Sequence, residues 1–340
     1  MKAVFLKKYG NAEDAFEIRE TEKPKIISGQ VLVRTEAFGL NFADVMARNG
    51  MYREAPPLPC ILGYESVGRV EEVADKENEF LVGKRVVAFS RFGSYAGYVA
   101  TDVRAVAEIT EETNVAEAAA LATQYVTAYF AAYESGNIKE NDKILVHAGA
   151  GGVGTGIIQL AKLKNCRIFA TTSDDKKSDH MKSIGVDYVI NYRTSDYEKE
   201  IEKILNHEKL DLTFNSIAGS TIKKDLRLLG AGGRLVIYGA AERSGKKYGI
   251  FSTIAFVWRM GLIIPVVLMM KSKGIIGINM LKIADEQPLV LKRCLDQVVN
   301  LYREKKIKPV SGGEFNVSDI AKAHDFLESR KSVGKIIVKW

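Results

Sequence analysis

Residues 142–177 read DKILVHAGAGGVGTGIIQLAKLKNCRIFATTSDDKK. An apolar run, Ile144, Leu145 and Val146, leads directly into GAGGVG from Gly149 to Gly154. An amphipathic run follows (Ile157, Ile158, Leu160, Ala161, Leu163), and then a second apolar run over 167–171. Strand, glycine turn, helix, strand is the setting in which a GxGxxG pattern becomes a dinucleotide-binding fingerprint. Each glycine then has its own role. Gly149 allows the tight turn, Gly151 lets the backbone approach a pyrophosphate, and Gly154 lets helix and strand pack closely. The helix that opens at Gly152 and Val153 offers free N–H groups and a partial positive charge to that pyrophosphate.

The end of the second strand chooses the nucleotide. An acidic residue there would accept hydrogen bonds from a ribose 2′-OH and repel a 2′-phosphate. Here the place falls at Thr172, followed by Ser173, Asp174, Asp175, Lys176 and Lys177. Neutral hydroxyls followed by lysines suit a 2′-phosphate, so the expected cofactor is NADPH. Asp174 and Asp175 leave NAD open, since a shift of one residue would make Asp174 the ribose partner. The same SDDKK run also reads as a solvated helix start.

The chain has 340 residues, 46% of them hydrophobic and 27% charged, which is ordinary for a globular protein with room for two cored domains. Its net charge of +7 is mild and the lysines are interleaved with acids, so nucleic-acid binding is not demanded. No aromatic and basic platform for single strands is present. Cys60, Cys166 and Cys294 lie far apart, which points to a reducing compartment and away from a disulfide framework or a cysteine-rich zinc lobe. The apolar run near the start is too short for a signal peptide, and a cytoplasmic location is the expectation.

Outward from the glycine turn, the first ~125 residues read as short strands and turns. Strands are expected over 31–38, 66–73 and 84–89, with one or two helical turns over 41–48 capped by Asn41. An alanine-rich helix over 115–133 carries the polar insertion Thr123, Gln124, Thr127 and bridges two domains. After Lys177, helices over 180–184, 197–205 and 222–229 alternate with strands over 187–190, 210–214 and 234–238, and a sixth strand covers 273–277. That alternation implies a parallel, doubly wound sheet. Residues 254–270, IAFVWRMGLIIPVVLMM, form the most apolar stretch, interrupted by Arg259 and Pro265 and too short for a comfortable membrane span. A cap over the cofactor or a subunit contact is its first reading, a membrane or lipid surface its second. Helices over 287–302 and 319–329 and a strand over 334–339 close the chain.

AFGLNFADV, GYESVGRVEEV, LATQYVTAY, HAGAGGVG, VINY and AHDFLESRKSVGKIIV together resemble the medium-chain dehydrogenase/reductase superfamily across nearly the whole chain. GLNFADVMARNGMY, from Gly39 to Tyr52, looks like the zinc-independent quinone oxidoreductases, in particular their synaptic vesicle membrane protein (vesicle amine transport protein) subgroup. The resemblance implies an α/β protein: an N-terminal GroES-like β-barrel domain over 1–126 and 278–340, and a Rossmann six-stranded sheet over 127–277. Where the zinc branch has a cysteine ligand this chain has Asn41, and where it has Gly-His-Glu this chain has Gly63, Tyr64 and Glu65. Loss of two ligands removes a catalytic zinc. The scattered histidines, His147, His180, His207 and His324, offer no replacement, and His147 reads as a packed or hydrogen-bonded residue.

Without a Lewis acid, alcohol oxidation is disfavoured, whereas a quinone or enone delocalises incoming hydride charge. The resemblance accordingly implies hydride transfer from NADPH to a quinone or related conjugated carbonyl in the cleft between domains. A 2-alkenal or enone double-bond reductase stays open, as does a low-turnover NADPH-binding protein acting at membranes or lipids. By position, Asn41 should hold the nicotinamide or a water, Tyr52 should line the substrate site, and Thr127 should lie close to the nicotinamide. Gly149, Gly151, Gly152, Val153 and Gly154 form the pyrophosphate turn. Ser173, Lys176, Tyr192 and Arg330 match positions that grip a 2′-phosphate; Gly239 and the Ile278–Asn279 region should face the nicotinamide half. Tyr64 could donate a proton to the reduced product or simply fill the volume that a zinc site vacates. Relatives pair through the sixth strand, which implies a homodimer.

Overall fold

The computed structural model describes residues 1–243, 254, 256 and 258–340. The chain divides into two compact units, Met1–Val126 with Met280–Trp340, and Thr127–Asn279.

The first unit is built on a sheet whose path runs Ser311–Asn316, Lys335–Lys339, Gln30–Leu40, Glu65–Val73, Arg85–Phe89, Val106–Glu108, with Tyr98–Asp102 added to Gln30–Leu40. A smaller sheet joins Phe16–Glu20, Lys2–Leu6 and Cys60–Ile61. Alternation explains the long central strand: Val31 and Val33 enter a core with Val70, Val86, Ala88, Val99 and Val106, while Arg34 beside them faces solvent. Antiparallel register sets Leu40 against Ile336 and Phe38 against Ser66. The end of Gln30–Leu40 and the starts of Glu65–Val73 and Lys335–Lys339 therefore meet at one edge, and the short helix Phe42–Arg48 leaves from it.

The second unit holds a parallel sheet in the order Tyr188–Asn191, Arg167–Thr172, Lys143–Val146, Leu210–Asn215, Leu229–Ile237, Gly274–Gly277. All neighbouring pairs are parallel. Buried Leu145, Phe169, Leu212 and Leu235 show why these strands read as apolar runs: both faces of a parallel sheet are covered. Strand order reverses on either side of Lys143–Val146, so the carboxyl end of that strand is the topological switch point where ligands bind in such sheets. The glycine turn begins there.

Three local features depart from the sequence reading. The expected alanine-rich helix is present, but two stretches of it, Leu121–Tyr125 and Phe130–Ser135, are wide π turns on either side of Val126–Tyr129. Such turns insert a residue and re-aim side chains, and the first carries Thr123 and Gln124. The strand expected at 234–238 already starts at Leu229 and takes in its glycines. Pro265 does not interrupt a helix; it starts one, Pro265–Met270, at the position where a missing N–H costs nothing. The rest of the apolar 254–270 stretch lies partly outside the described residues. Within it Trp258, Leu262 and Met270 are more than three-quarters exposed. No helix among the described residues is long and apolar enough to cross a membrane.

Candidate active site

In the first unit the site grows from the edge where three strand ends meet. Asn41 precedes the first helical turn; its backbone N–H donates to Asp44 Oδ2 at 2.8 Å, and its carbonyl accepts from the Asp44 N–H at 2.9 Å. The side-chain amide is buried and doubly held. Asn41 Nδ2 donates to Glu65 Oε1 and Oε2 at 2.9 and 2.7 Å, and Asn41 Oδ1 accepts from Lys335 Nζ at 2.9 Å. Lys335 and Glu65 form a fully buried ion pair, and Thr123, delivered by the first π turn, donates its hydroxyl to Glu65. Gly39 explains how the pair fits: a Cβ there would lie 2.1 Å from both Glu65 Oε1 and Lys335 Cε.

Asp44, wholly buried, accepts a further hydrogen bond from Gly63 N at 3.2 Å. Burial, reinforced by the nearby Glu65 carboxylate, pushes its carboxyl up to about 7 despite the opposing backbone hydrogen bond and Lys335. Gly63 takes a left-handed φ of +96°, and a Cβ would strike the Tyr95 ring at 2.4 Å, so only glycine serves before Tyr64. Tyr64 packs against Phe92 at 5.1 Å and Tyr52 at 6.3 Å between ring centroids. Burial, and next the Asp44 charge, drive the Tyr64 phenol far above its ordinary value; burial also raises Tyr52. The Tyr64 hydroxyl and Gln124 Oε1 are buried without a hydrogen bond of ordinary geometry among the described residues. Asn41, Tyr52 and Tyr64 thus belong to one polar and aromatic cluster. Of its other members, Glu65 was named from sequence only as part of the Gly63, Tyr64, Glu65 departure and Thr123 only as part of the polar insertion, while Gly39, Asp44 and Lys335 were given no role; for Lys335 the available signal was a charge leading directly into buried IIV.

In the second unit the left-handed residue of the turn is Ala148, with φ +52°, so the expectation that Gly149 permits the turn gives way to a packing role. A Cβ on Gly149 would meet Met181 Cε at 2.7 Å and the Ala170 methyl at 2.9 Å. On Gly154 it would meet Ala148 O at 2.6 Å and Gly149 Cα at 2.9 Å, the close helix packing expected. Gly151 differs: among the described residues a Cβ there would meet only Ala148 O, at 3.2 Å. It caps the helix Gly152–Lys162, and Gly151, Gly152 and Val153 are all partly exposed. The first-turn N–H groups have no acceptor within the helix. Beneath the turn His147 is locked: Nε2 lies 2.9 Å from Asp225 Oδ1 and Nδ1 lies 3.2 Å from Thr171 Oγ1, with Tyr197 Oη also donating to Asp225 at 2.9 Å. The packed role read for it from sequence is the one it has.

At the next strand end Thr172 is buried, Ser173 half-buried and Lys176 exposed. Asp174 Oδ1 accepts from Lys176 N at 3.0 Å, so this carboxylate is turned to cap its own helical turn. Tyr192 begins the loop after Tyr188–Asn191, 41% exposed, its N–H donating to Thr172 O at 3.0 Å. Ser173, Lys176 and Tyr192 thus stand at adjacent strand ends beside the turn. Gly239 approaches Ser216 so closely that a Cβ would lie 2.7 Å from its carbonyl oxygen. Thr127 is buried in Val126–Tyr129, and Asn279 is exposed after Gly274–Gly277. Arg330, exposed after Ile320–Glu328, belongs to the first unit rather than to the one carrying Ser173, Lys176 and Tyr192.

A catalytic zinc does not fit the first cluster. Its amide and carboxylate donors are already taken up by an internal ammonium, and no group of three or more His, Cys, Asp or Glu side chains among the described residues could hold a metal.

Comparison with known proteins places residues 152–296 in the family described as zinc-binding dehydrogenase and residues 27–111 in that described as alcohol dehydrogenase GroES-like domain. The synaptic vesicle membrane protein VAT-1 homolog of Danio rerio is 31% identical over 338 residues, 99% of this chain and 69% of that protein. The quinone oxidoreductase of Escherichia coli complexed with NADPH superposes with a TM-score of 0.86 at 25% identity, each chain covered fully. A quinone oxidoreductase of Pseudomonas syringae pv. Tomato DC3000 gives 0.86 at 27% identity, covering 100% of this chain and 99% of that one.

Proposed function

The chain belongs to the medium-chain dehydrogenase/reductase superfamily, and from that premise we propose that it is an NADPH-dependent, zinc-independent reductase of quinones or related conjugated carbonyls. The observation that carries the proposal is the buried Asn41, Glu65, Lys335 cluster. A dehydrogenase framework with Asn41 at one ligand position, engaged by an internal ion pair, and Tyr64 at the other suits acceptors that need no Lewis acid. NADPH, when bound, supplies the hydride.

The glycine turn from Gly149 to Gly154 would hold the pyrophosphate, since among the described residues only Ala148 O crowds Gly151, where the backbone must approach the ligand. Ser173, Lys176 and Tyr192 would hold the 2′-phosphate, with Asp174 engaged in capping its own helical turn. Arg330, Gly239, Asn279 and Thr127 complete the assignment by family position. Asn41 would position the nicotinamide, and Tyr52, Tyr64 and Phe92 would supply an apolar wall for a planar acceptor. The raised Tyr64 phenol keeps its proton, so this group can donate a hydrogen bond to an acceptor oxygen but not act as a base.

The test is NADPH oxidation by the purified protein against an ortho-quinone, a para-quinone and a long-chain 2-alkenal, repeated with NADH. Quinone turnover with NADPH and little with NADH is the expected result. Preference for the alkenal moves the assignment to a double-bond reductase; tight NADPH binding with no turnover on any acceptor overturns the reductase. We further propose a cytoplasmic homodimer, with the exposed apolar residues Leu262, Ile263 and Val267 at the subunit contact. The same surface supports a second reading, attachment to lipid. Flotation with liposomes that is abolished by Ile263→Asp and Val267→Asp would favour lipid over a partner subunit.

A further inference from the structure

The Asn41 amide raises a question of orientation. The two ends of a carboxamide have nearly the same shape, and only partners of opposite character tell them apart. Here the partners are unambiguous. Lys335 Nζ can only donate, and lies 2.9 Å from Oδ1; the Glu65 carboxylate can only accept, and lies 2.7 and 2.9 Å from Nδ2. Turning the amide over would set an amino group against an ammonium and a carbonyl against a carboxylate, two repulsions in place of two charge-assisted hydrogen bonds.

The arrangement is costly in two ways. Lys335 and Glu65 are both completely buried, where ions are paired only at the expense of their hydration. The neighbouring strand also gives up a side chain, because any residue larger than Gly39 would occupy the space of the pair. Lys335 opens a strand, KIIVK, whose next three residues are ordinary buried aliphatics, so an apolar residue would have served for packing alone.

We propose that Lys335 is a positioning residue: with Glu65 it fixes the Asn41 amide in a single orientation, an internal ammonium taking over the ordering that a metal ion gives the corresponding positions in zinc-dependent relatives. The functional half of this inference rests on the reading that Asn41 positions the nicotinamide; the orientation of the amide does not.

Lys335→Met alone would strand Glu65 as a lone buried carboxylate and could unfold the unit, so the decisive variant is Lys335→Met with Glu65→Gln, which removes both charges. Two readouts separate the inference from the functional reading. The first is the pair of Asn41 side-chain N–H resonances in a transverse-relaxation-optimised 15N spectrum, assigned by their loss in Asn41→Ala. In the wild type they are displaced and protected from exchange; in the double variant they move to ordinary amide positions. The second is turnover. The double variant is expected to keep its melting temperature within a few degrees and its NADPH Kd within threefold, and to lose at least tenfold in kcat. Adding Asn41→Ala to it should lower kcat by no more than a further twofold. Unchanged resonances, or kcat within twofold of wild type, overturns the inference, as does a further tenfold loss on adding Asn41→Ala. Shifted resonances in a protein that reduces no acceptor uphold the fixed amide and overturn the reductase reading instead.

Discussion

Replacing Gly151 and Gly154 separately by alanine distinguishes a glycine kept for a ligand from one kept for the fold. At Gly154 the new methyl would sit 2.6 Å from Ala148 O and 2.9 Å from Gly149 Cα, against an ordinary contact of about 3.4 Å or more, and both obstacles are backbone. Overpacking of that kind costs roughly 1–3 kcal/mol. Alanine in a helix returns up to about 1 kcal/mol of backbone entropy. The net loss is about 1–2 kcal/mol, which for a protein of this size lowers Tm by roughly 1.5–3 °C. At Gly151 the only near atom among the described residues is Ala148 O at 3.2 Å, and φ of −75° is open to alanine. The cost there is the poorer cap, below about 1 kcal/mol. The methyl would, however, cover the N–H groups on the open side of the turn, where a phosphate would be cradled. Gly151→Ala should therefore melt within about 1.5 °C of wild type and bind NADPH at least tenfold more weakly, about 1.4 kcal/mol. Scanning calorimetry and titration of NADPH fluorescence read the two quantities. If Gly151→Ala keeps its NADPH affinity within twofold, or destabilises more than Gly154→Ala, the assignment of the turn is wrong.

Other expectations follow from individual groups. Burial raises Asp44 to about 7, so the folded chain keeps a proton that an unfolded carboxyl, near its ordinary value of about 4, has released. The Asp44 contribution is consequently full below about pH 4 and is lost as pH rises toward 7. Asp44→Asn should flatten that part of the slope in urea midpoints measured between those limits, and an unaltered slope would remove Asp44 as its source. Cys60, Cys166 and Cys294 are buried, and burial pushes the Cys166 thiol up to about 12 and raises Cys60. Native protein should accordingly resist iodoacetamide at pH 8 while the denatured chain takes up three labels; fast labelling of native protein would contradict the burial. Light scattering should give a dimer at micromolar concentration and a monomer for Ile263→Asp with Val267→Asp, both positions being exposed enough to accept the change without unfolding. A wild-type monomer refutes the proposed contact.

The parallel sheet was legible because periodicity and glycine spacing are local. Residues 142–177 carry their own strand, turn and helix, and the expected helix over 197–205 is Tyr197–Leu205 in the fold. The first unit was less legible. Phe16–Glu20 and Ser311–Asn316 are exposed edge-like strands with little alternation, and were not anticipated. The π turns leave no signature in composition: AAALATQYVTAY has the same helix propensity whether its turns are α or π. The site divides along the same line. The glycine turn was visible as a motif, although Ala148 rather than Gly149 bears the left-handed backbone, which only the actual path of the turn reveals. Lys335 and Glu65 were each visible as a charge beside apolar residues, an arrangement that normally means a strand end in water. Their partnership joins residues 270 positions apart (335 less 65) through the register of three strands, and register across that distance is not written in any local pattern.

That register also bears on how a framework shared with zinc-binding dehydrogenases can hold together when the ligand residues change. Without a cation nearby Glu65 would be an unpaired buried charge, a penalty of several kcal/mol. Two remedies exist: neutralise the carboxylate or bring in another cation. Tyr64 and Phe92 fill volume but carry no charge, so they solve only the packing half of the problem. Lys335 solves the electrostatic half, and it does so with a donor that can be neither displaced by substrate nor polarise one, because its ammonium is enclosed by Asn41 and Glu65. The consequence reaches the chemistry. Among the described residues of this cluster the ammonium is enclosed rather than offered to an alkoxide, which is why the acceptors proposed above are ones that stabilise incoming charge within their own conjugated system.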